Sequence, residues 1–335
     1  MPRWMRKTVL LCIAVMALTI AGILITGCGT LKMSFVDFPV NTLKTLDAAA
    51  PLSAQTSGAD TNANFSPAAV RQIAGDGACT LRSSMTATAG RFLPGTTFVD
   101  VFVNGKACTL VLDTGCQTTA LFPRLAKRAE VPISKTPAWT WEKSDGQGAT
   151  PVYAGLATSL VLGSFTISNV PVRVLGKQHE VRLLGVPVYH MDGLLGMDIL
   201  RNFAVTFVLS DGSVRFSRTA PLTELHVNRL PFRLSKKTNM MITQAIMVNG
   251  QPIGDCLVDT GSSGKLVLTE ATWNKIALGE TLARVDVQMG DVNMNNVPAE
   301  KSDAIGMGMV PMNILATKGT KTITIDFQAE QIIYE

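Results

Sequence analysis

Two aspartates are the residues best placed to do chemistry in this sequence. Asp113 and Asp259 each open an Asp-Thr-Gly triplet, and each follows an apolar run, Leu110-Val111-Leu112 in one case and Leu257-Val258 in the other. Paired carboxylates suit general acid–base work, one group accepting a proton while the other gives one. Other chemistries lack their residues. His occurs at 179, 190 and 226 alone, and there is no Cys-x-x-Cys, so a zinc site is not expected. Gly261-Ser-Ser-Gly264-Lys265 lacks the spacing of a phosphate-binding loop, and Gly306-Met-Gly308-Met-Val-Pro311 lacks the last glycine of a dinucleotide fingerprint.

The triplets sit inside an internal repeat, and the repeat must position them. Val103-Asn104-Gly105 through Asp113-Thr114-Gly115 returns as Val248-Asn249-Gly250 through Asp259-Thr260-Gly261, with one extra residue in the second copy. Each Asn-Gly lies between β-rich runs and predicts a hairpin, because a type I′ turn needs positive φ at both central positions. A second matching pair follows: Gly193-Leu194-Leu195-Gly196-Met197-Asp198-Ile199-Leu200 and Gly308-Met309-Val310-Pro311-Met312-Asn313-Ile314-Leu315. Each copy then ends in a further hairpin, Val205–Leu209 with Val214–Phe216 and Ile323–Phe327 with Gln331–Tyr334. Short strands with frequent turn signals predict an all-β chain of two similar units, roughly 91–220 and 230–335. From Asp to the shared Met is 84 residues in the first copy (113 to 197) and 53 in the second (259 to 312), leaving 31 more in the first.

These residues resemble the retropepsin-like aspartic protease family over about 91–335. Leu110 to Gly115 and Leu257 to Gly261 match that family's Asp loops, and Leu194-Leu195-Gly196 matches the downstream element that braces such a loop. The resemblance implies two fused retropepsin-like β units, forming a pepsin-like pseudo-dimer with a cleft between them. It implies peptide-bond hydrolysis by a water held between Asp113 and Asp259. Thr114 and Thr260 would lock the two loops together, while Gly115 and Gly261 let the backbones approach. Like charges ~3 Å apart cannot both ionise, so such a pair shares one proton. No metal or cofactor is needed.

Cys116 follows the first loop where Ser262 follows the second. A hydroxyl is the better donor to a carboxylate, so Asp259 is expected to be the ionised member. The resemblance places a substrate-covering flap in the extra length of the first copy. There Trp139-Thr140-Trp141 leads into a turn containing Gly146 and Gly148, and Trp139, Trp141, Gly146 and Gly148, with Cys116, are expected on the substrate side. Gly196 has Pro311 as its counterpart in the simplest alignment, and proline offers no N–H. Pairing through Ala304-Ile305-Gly306 restores the glycine but misplaces Met-x-Ile-Leu.

The N-terminus reads as a targeting segment. Arg3, Arg6 and Lys7 precede an apolar run from Val9 to Ile25. The run ends in Ile25-Thr26-Gly27-Cys28, which resembles the bacterial lipobox. Residues 1–27 are therefore expected to be a lipoprotein signal peptide, with lipid, palmitate included, on Cys28. The body would be membrane-anchored and face the periplasm. Gly29 in place of Asp favours the outer membrane over the inner. The Ala/Thr/Ser/Asn-rich stretch from Asn41 to Asn64 lacks apolar periodicity, so residues 28–90 are expected to be tether, with a removable pro-segment the alternative for part of it.

Composition narrows the remaining classes. The 335 residues are 47% hydrophobic and 16% charged, unlike a disordered chain. Beyond the leader, 27 basic residues face 25 acidic ones without a concentrated basic patch, so no nucleic-acid partner is expected. The expected partners are a polypeptide substrate and, through the lipid, the membrane; the pseudo-dimer predicts a monomer. Cys79, Cys108, Cys116 and Cys256 could form up to two disulfides in an oxidising compartment, with Cys79–Cys108 one pairing and free buried thiols the alternative. Three rival readings are a non-catalytic peptide-binding lipoprotein on the same fold, dyads formed between chains, and a carboxylate-pair glycosidase, whose acids stand ~5–9.5 Å apart.

Overall fold

Both Asn-Gly dipeptides turn the chain as their composition predicts. Asn104 and Gly105 lie at φ 48° and 74°, and Asn249 and Gly250 at 49° and 76°, the left-handed pair of a type I′ turn. The first turn folds Phe98–Val103 onto Lys106–Leu112, from Phe98 opposite Val111 to Val103 opposite Lys106. The second folds Ile246–Val248 onto Gln251–Pro252. The structure is a computed structural model. It describes residues 72–75, 77–82, 96–142, 149–178, 180–183, 186–220, 227–236, 238–262, 264–276, 279, 282–303, 306–316 and 320–335.

The described chain is all-β, with a few short helices. In the first half eight strands run in the order Gln72–Ala74, Phe165–Leu175, Ala120–Leu121, Gly193–Leu195, Lys106–Leu112, Phe98–Val103, Ala149–Leu162, Trp139–Glu142. Pairing between Ala149–Leu162 and Phe165–Leu175 closes this sheet into a barrel. The second half carries a nine-stranded sheet. Near its two ends lie Met241–Thr243 and Ile246–Val248, two halves of one interrupted strand, so this sheet also curls round on itself.

A third, six-stranded sheet joins the halves. Its order is Asn228–Pro231, Gln331–Tyr334, Thr322–Asp326, Ala204–Val208, Ser213–Ser217, Cys79–Arg82. The terminal hairpins of the two repeats meet antiparallel along its middle, with Thr206 opposite Thr324 and their hydroxyl oxygens 2.9 Å apart. A residue paired with its own repeat counterpart marks a local two-fold axis. Buried side chains of both halves form one continuous core, in which Leu110, Leu112, Phe165 and Phe216 are among the largest wholly buried groups.

One expectation needs correction, and of the two readings of the cysteines the free-thiol one holds among the described residues. Part of the expected tether over 28–90 is folded: Gln72–Ala74 pairs with Phe165–Leu175, and Cys79–Arg82 pairs with Ser213–Ser217. Strands of three and four residues show no periodicity of their own, and distant partners stabilise them. No disulfide joins the described cysteines: Cys79, Cys108, Cys116 and Cys256 are all free thiols, and Cys79 donates to the carbonyl of Leu162 at 3.2 Å. Burial pushes the Cys108 and Cys256 thiols up to about 12, so both stay protonated and pack as small apolar groups. The expected signal peptide, Cys28 and most of the remaining expected tether lie outside the described residues.

Candidate active site

Each aspartate stands at the end of a buried strand. Leu110, Val111 and Leu112 lead to Asp113, and Cys256–Asp259 is buried throughout. A parallel neighbour flanks each: Leu195 lies opposite Leu112, and Val310 and Pro311 lie opposite Val258 and Asp259. The loops that follow run against each other. A Cβ added to Gly115 would come within 3.0 Å of the Asp259 carboxylate, and one added to Gly261 would meet that of Asp113 in the same way. Only glycine permits this approach.

Two threonines hold the loops in that position. Thr114 Oγ1 donates to the carbonyl of Val258 at 2.7 Å, and Thr260 Oγ1 donates to that of Leu112 at 2.9 Å. Each hydroxyl also accepts the other's main-chain N–H, Thr260 N at 3.0 Å and Thr114 N at 3.1 Å. Both residues are wholly buried. Four hydrogen bonds therefore tie the two halves directly beneath the carboxylates, satisfying both hydroxyls and both main-chain N–H groups.

The carboxyls of Asp113 and Asp259 lie within hydrogen-bonding reach of each other and are 7% and 6% exposed. Burial and then the charge of Asp259 raise Asp113 well above the usual carboxylate range. Burial raises Asp259 too, but donors hold it down: the Gly261 N–H at 2.8 Å, the Asp113 carboxyl, and the hydroxyl and N–H of Ser262. In the rotamer observed the Ser262 hydroxyl lies 3.3 Å from the main-chain carbonyl of Asp259 and 3.8 Å from Met309 Sδ. Burial thus raises both carboxyls, while main-chain N–H groups oppose it on each side, those of Gly115 and Cys116 at Asp113 and those of Gly261 and Ser262 at Asp259.

The braces beneath the two loops differ. Leu195 accepts the Asp113 N–H at 3.0 Å. Gly196, where any Cβ would collide with the Cys116–Thr119 backbone, donates its N–H to Thr119 Oγ1 at 3.2 Å. Asp198 Oδ1 then accepts both the N–H and the hydroxyl of Thr119 at 2.8 Å. Strand register makes Pro311, not Gly306, the counterpart of Gly196. It also sets Ala120 against Leu194 and Val267 against Met309, so Leu266 stands where Thr119 does. The second half thus lacks both donor and acceptor, and no group is orphaned. Asn313 takes over from Asp198, accepting from Gly264 N at 2.9 Å and donating to Gly264 O at 2.8 Å. Asp198, Thr119 and Asn313 were missed in the sequence, where the signal was Met-Asp-Ile-Leu repeating as Met-Asn-Ile-Leu.

The flanks of the pair are apolar. Half-buried Cys116 packs against a cluster that includes Phe98, Phe122 and Leu194, and its thiol is raised by burial and by Asp113. Met309, beside Ser262, belongs to a second cluster with Met240, Leu257 and Val267. Trp139 and Trp141 lie on Trp139–Glu142, which pairs with the start of Ala149–Leu162. Gly146 and Gly148, the expected flap turn, lie outside the described residues. Among the described residues no cluster of His, Cys, Asp and Glu could hold a metal ion.

An all-β arrangement in which two repeats each contribute an Asp-Thr-Gly loop to one buried carboxyl pair is the class that fold and site define. Residues 99–199, just under a third of the chain, match a family model described as aspartyl protease. Among solved structures the chain is similar to the crystal structure of basic 7S globulin from soybean, at 8% identity and a TM-score of 0.47, covering 79% of this chain and 96% of that one. No curated protein matches the sequence.

Proposed function

We propose that the chain is an aspartic endopeptidase, anchored through lipid on Cys28 and facing the periplasm, that works as a monomer on exported polypeptides. The observation that carries this reading is the buried pair itself, one Asp from each half, held by reciprocal threonine bonds. Asp259, ionised, takes a proton from a bound water. Asp113, protonated, donates to the scissile carbonyl as the water oxygen attacks. The tetrahedral diol then collapses as Asp259 passes its proton to the leaving amine, the C–N bond breaks and Asp113 takes a proton back from a diol hydroxyl. The apolar clusters beside Cys116 and Met309 favour apolar side chains next to the scissile bond. Carboxyls within hydrogen-bonding reach of each other are too close to flank a sugar, which argues against glycosidase chemistry.

The test uses the full chain in detergent with its Asp113→Asn and Asp259→Asn variants. Each is incubated with a pool of unfolded proteins from acid to neutral pH, and new termini are read by mass spectrometry. Cleavage by the parent that is lost in both variants is the expected result. Loss in one variant alone would sink the shared dyad, and no cleavage at any pH would point to a peptide-binding protein. The mass of the mature N-terminal peptide tests the anchor: an unmodified Cys28 still joined to Gly27 refutes it.

A further inference from the structure

The two halves treat one sheet edge differently. In the first half Gln72–Ala74 adds an antiparallel strand to Phe165–Leu175, with Gln72 opposite Ser168, Ile73 opposite Ile167 and Ala74 opposite Thr166. Arg218 seals that strand, donating to the carbonyl of Ile73 at 2.9 Å and stacking over Phe165 at 5.4 Å from the ring centre. The counterpart in the second half is Val292–Lys301. Both strands leave a tight turn at a left-handed glycine, Gly163 at φ 55° and Gly290 at 56°. Both carry a left-handed Asn four residues into the strand, Asn169 at 53° and Asn296 at 61°. Thr166, Ile167 and Ser168 therefore correspond to Asn293, Met294 and Asn295.

No described strand pairs with Asn293–Asn295 on the side that Gln72–Ala74 occupies in the first half. Val292–Lys301 meets Leu282–Met289 on its inner side, and Leu266–Leu268 reaches only Ala299 to Lys301 on the other. In a hairpin closed by two residues the first pair, here Met289 and Val292, bonds inward. Alternate residues, here Asn293 and Asn295, then turn their main-chain N–H and C=O outward. Against them lies a groove of roughly 850 Å³, lined also by Met294, Asn313, Tyr334 and Glu335. The Thr206–Thr324 register places Tyr334 where the first half has Phe216. Tyr334 is 3% exposed, and its buried hydroxyl has no hydrogen-bond partner among the described residues. Such a group is costly unless a ligand completes it.

We propose that this groove is a second peptide site, taking an extended stretch of the substrate polypeptide, remote from the scissile bond, as an added antiparallel strand on Asn293–Asn295. The occupant is fixed by the filled counterpart: main-chain pairing to Asn293 and Asn295, an apolar side chain beside Met294 as Ile73 lies opposite Ile167, and a carbonyl accepting from Tyr334 as that of Ile73 accepts from Arg218. That the polypeptide is substrate rests on the protease reading. The link to the dyad is Asn313, which lines the groove and clamps Gly264, three residues beyond Gly261.

The probe is a dye-labelled synthetic peptide with the sequence of residues 71–77 of this chain, titrated into the full chain carrying Asp113→Asn so that nothing is cut. Saturable binding is expected, weakened roughly tenfold by Asn295→Pro, which removes an outward N–H, and severalfold by Tyr334→Phe. Tyr334→Phe should unfold no earlier than its parent, which separates lost binding from lost fold. Absence of binding, binding that neither variant weakens, or displacement of the probe by a transition-state analogue overturns the proposal. So does a concentration-dependent dimer that the probe cannot dissociate, since a second copy would then fill the groove. Cleavage by the unaltered chain is assayed in parallel: cutting without probe binding overturns the groove alone, and binding without cutting overturns the protease reading alone.

Discussion

Thr114 and Thr260 exchange places: each puts its hydroxyl under the other's loop, donating to the carbonyl before the opposite Asp and accepting the opposite threonine's N–H. Thr114→Ala would leave the Val258 carbonyl and the Thr260 N–H buried without partners. The expected cost is about 2–4 kcal/mol, read from denaturant midpoints, with activity falling alongside. Thr114→Ser keeps both bonds and should recover most of each. An alanine variant as stable as its parent would show that the grip carries no net stabilisation.

Asp113 makes stability depend on pH in an unusual direction. Folded, it keeps its proton to a higher pH than it does unfolded. From the ordinary carboxylate range up to its folded value the unfolded chain therefore binds fewer protons, and stability falls as pH rises, by up to about 1.4 kcal/mol per pH unit. Asp113→Asn removes the share of that slope due to Asp113 and should be more stable than the parent at neutral pH. Equal slopes for the two proteins would refute the assignment.

In the proposed reaction Ser262 is expected to set the acid side of the pH profile. Its hydroxyl and N–H favour the charged form of Asp259. Removing the hydroxyl raises Asp259, so the ionised form appears only at higher pH. Ser262→Ala should shift the acid limb of the kcat/KM profile upward and leave the alkaline limb in place. An unmoved acid limb would assign the charge elsewhere.

The unequal braces predict unequal sensitivity. Gly196→Ala forces a Cβ into the Cys116–Thr119 backbone and should cost roughly 2–4 kcal/mol, in the range of overpacked sites. Pro311→Gly loses no hydrogen bond and should cost at most about 1 kcal/mol, through the unfolded chain. Adding Leu266→Thr to Pro311→Gly supplies the missing acceptor, and a double-mutant cycle should show the two coupling favourably. Additive effects would mean that the first half's bond does not transfer.

Trp139 and Trp141 supply a signal for the expected flap. Trp273 is 2% exposed in the core and serves as a silent reference. A transition-state analogue should change the fluorescence of the parent, and the change should disappear in Trp139→Phe with Trp141→Phe. A response that survives both substitutions would rule out a flap built on these residues.

Much of this architecture was legible because the repeat writes each feature twice. Asn104-Gly105 and Asn249-Gly250 force their turns through local backbone chemistry, and Asp113 and Asp259 stand out by their shared setting. Gln72–Ala74 and Cys79–Arg82 were not legible, since segments so short have no period and pair with residues more than 90 positions away. The exchange of Gly196 and Thr119 for Pro311 and Leu266 was half legible. The proline reads as a loss until the register shows that its acceptor has gone too.

The six-stranded sheet has a meaning for ancestry. Because Thr206 faces Thr324 across a local two-fold, the edge that each half offers is complementary to itself. A single half, freed from the other, exposes Ala204–Val208 as an open edge that can bond to an identical copy, Thr206 on Thr206. The same two-fold would bring two identical Asp-Thr-Gly loops together. The present chain thus has the geometry of a self-pairing dimer held in one polypeptide, and a single polypeptide leaves Pro311, Asn313 and Ser262 free to differ from Gly196, Asp198 and Cys116.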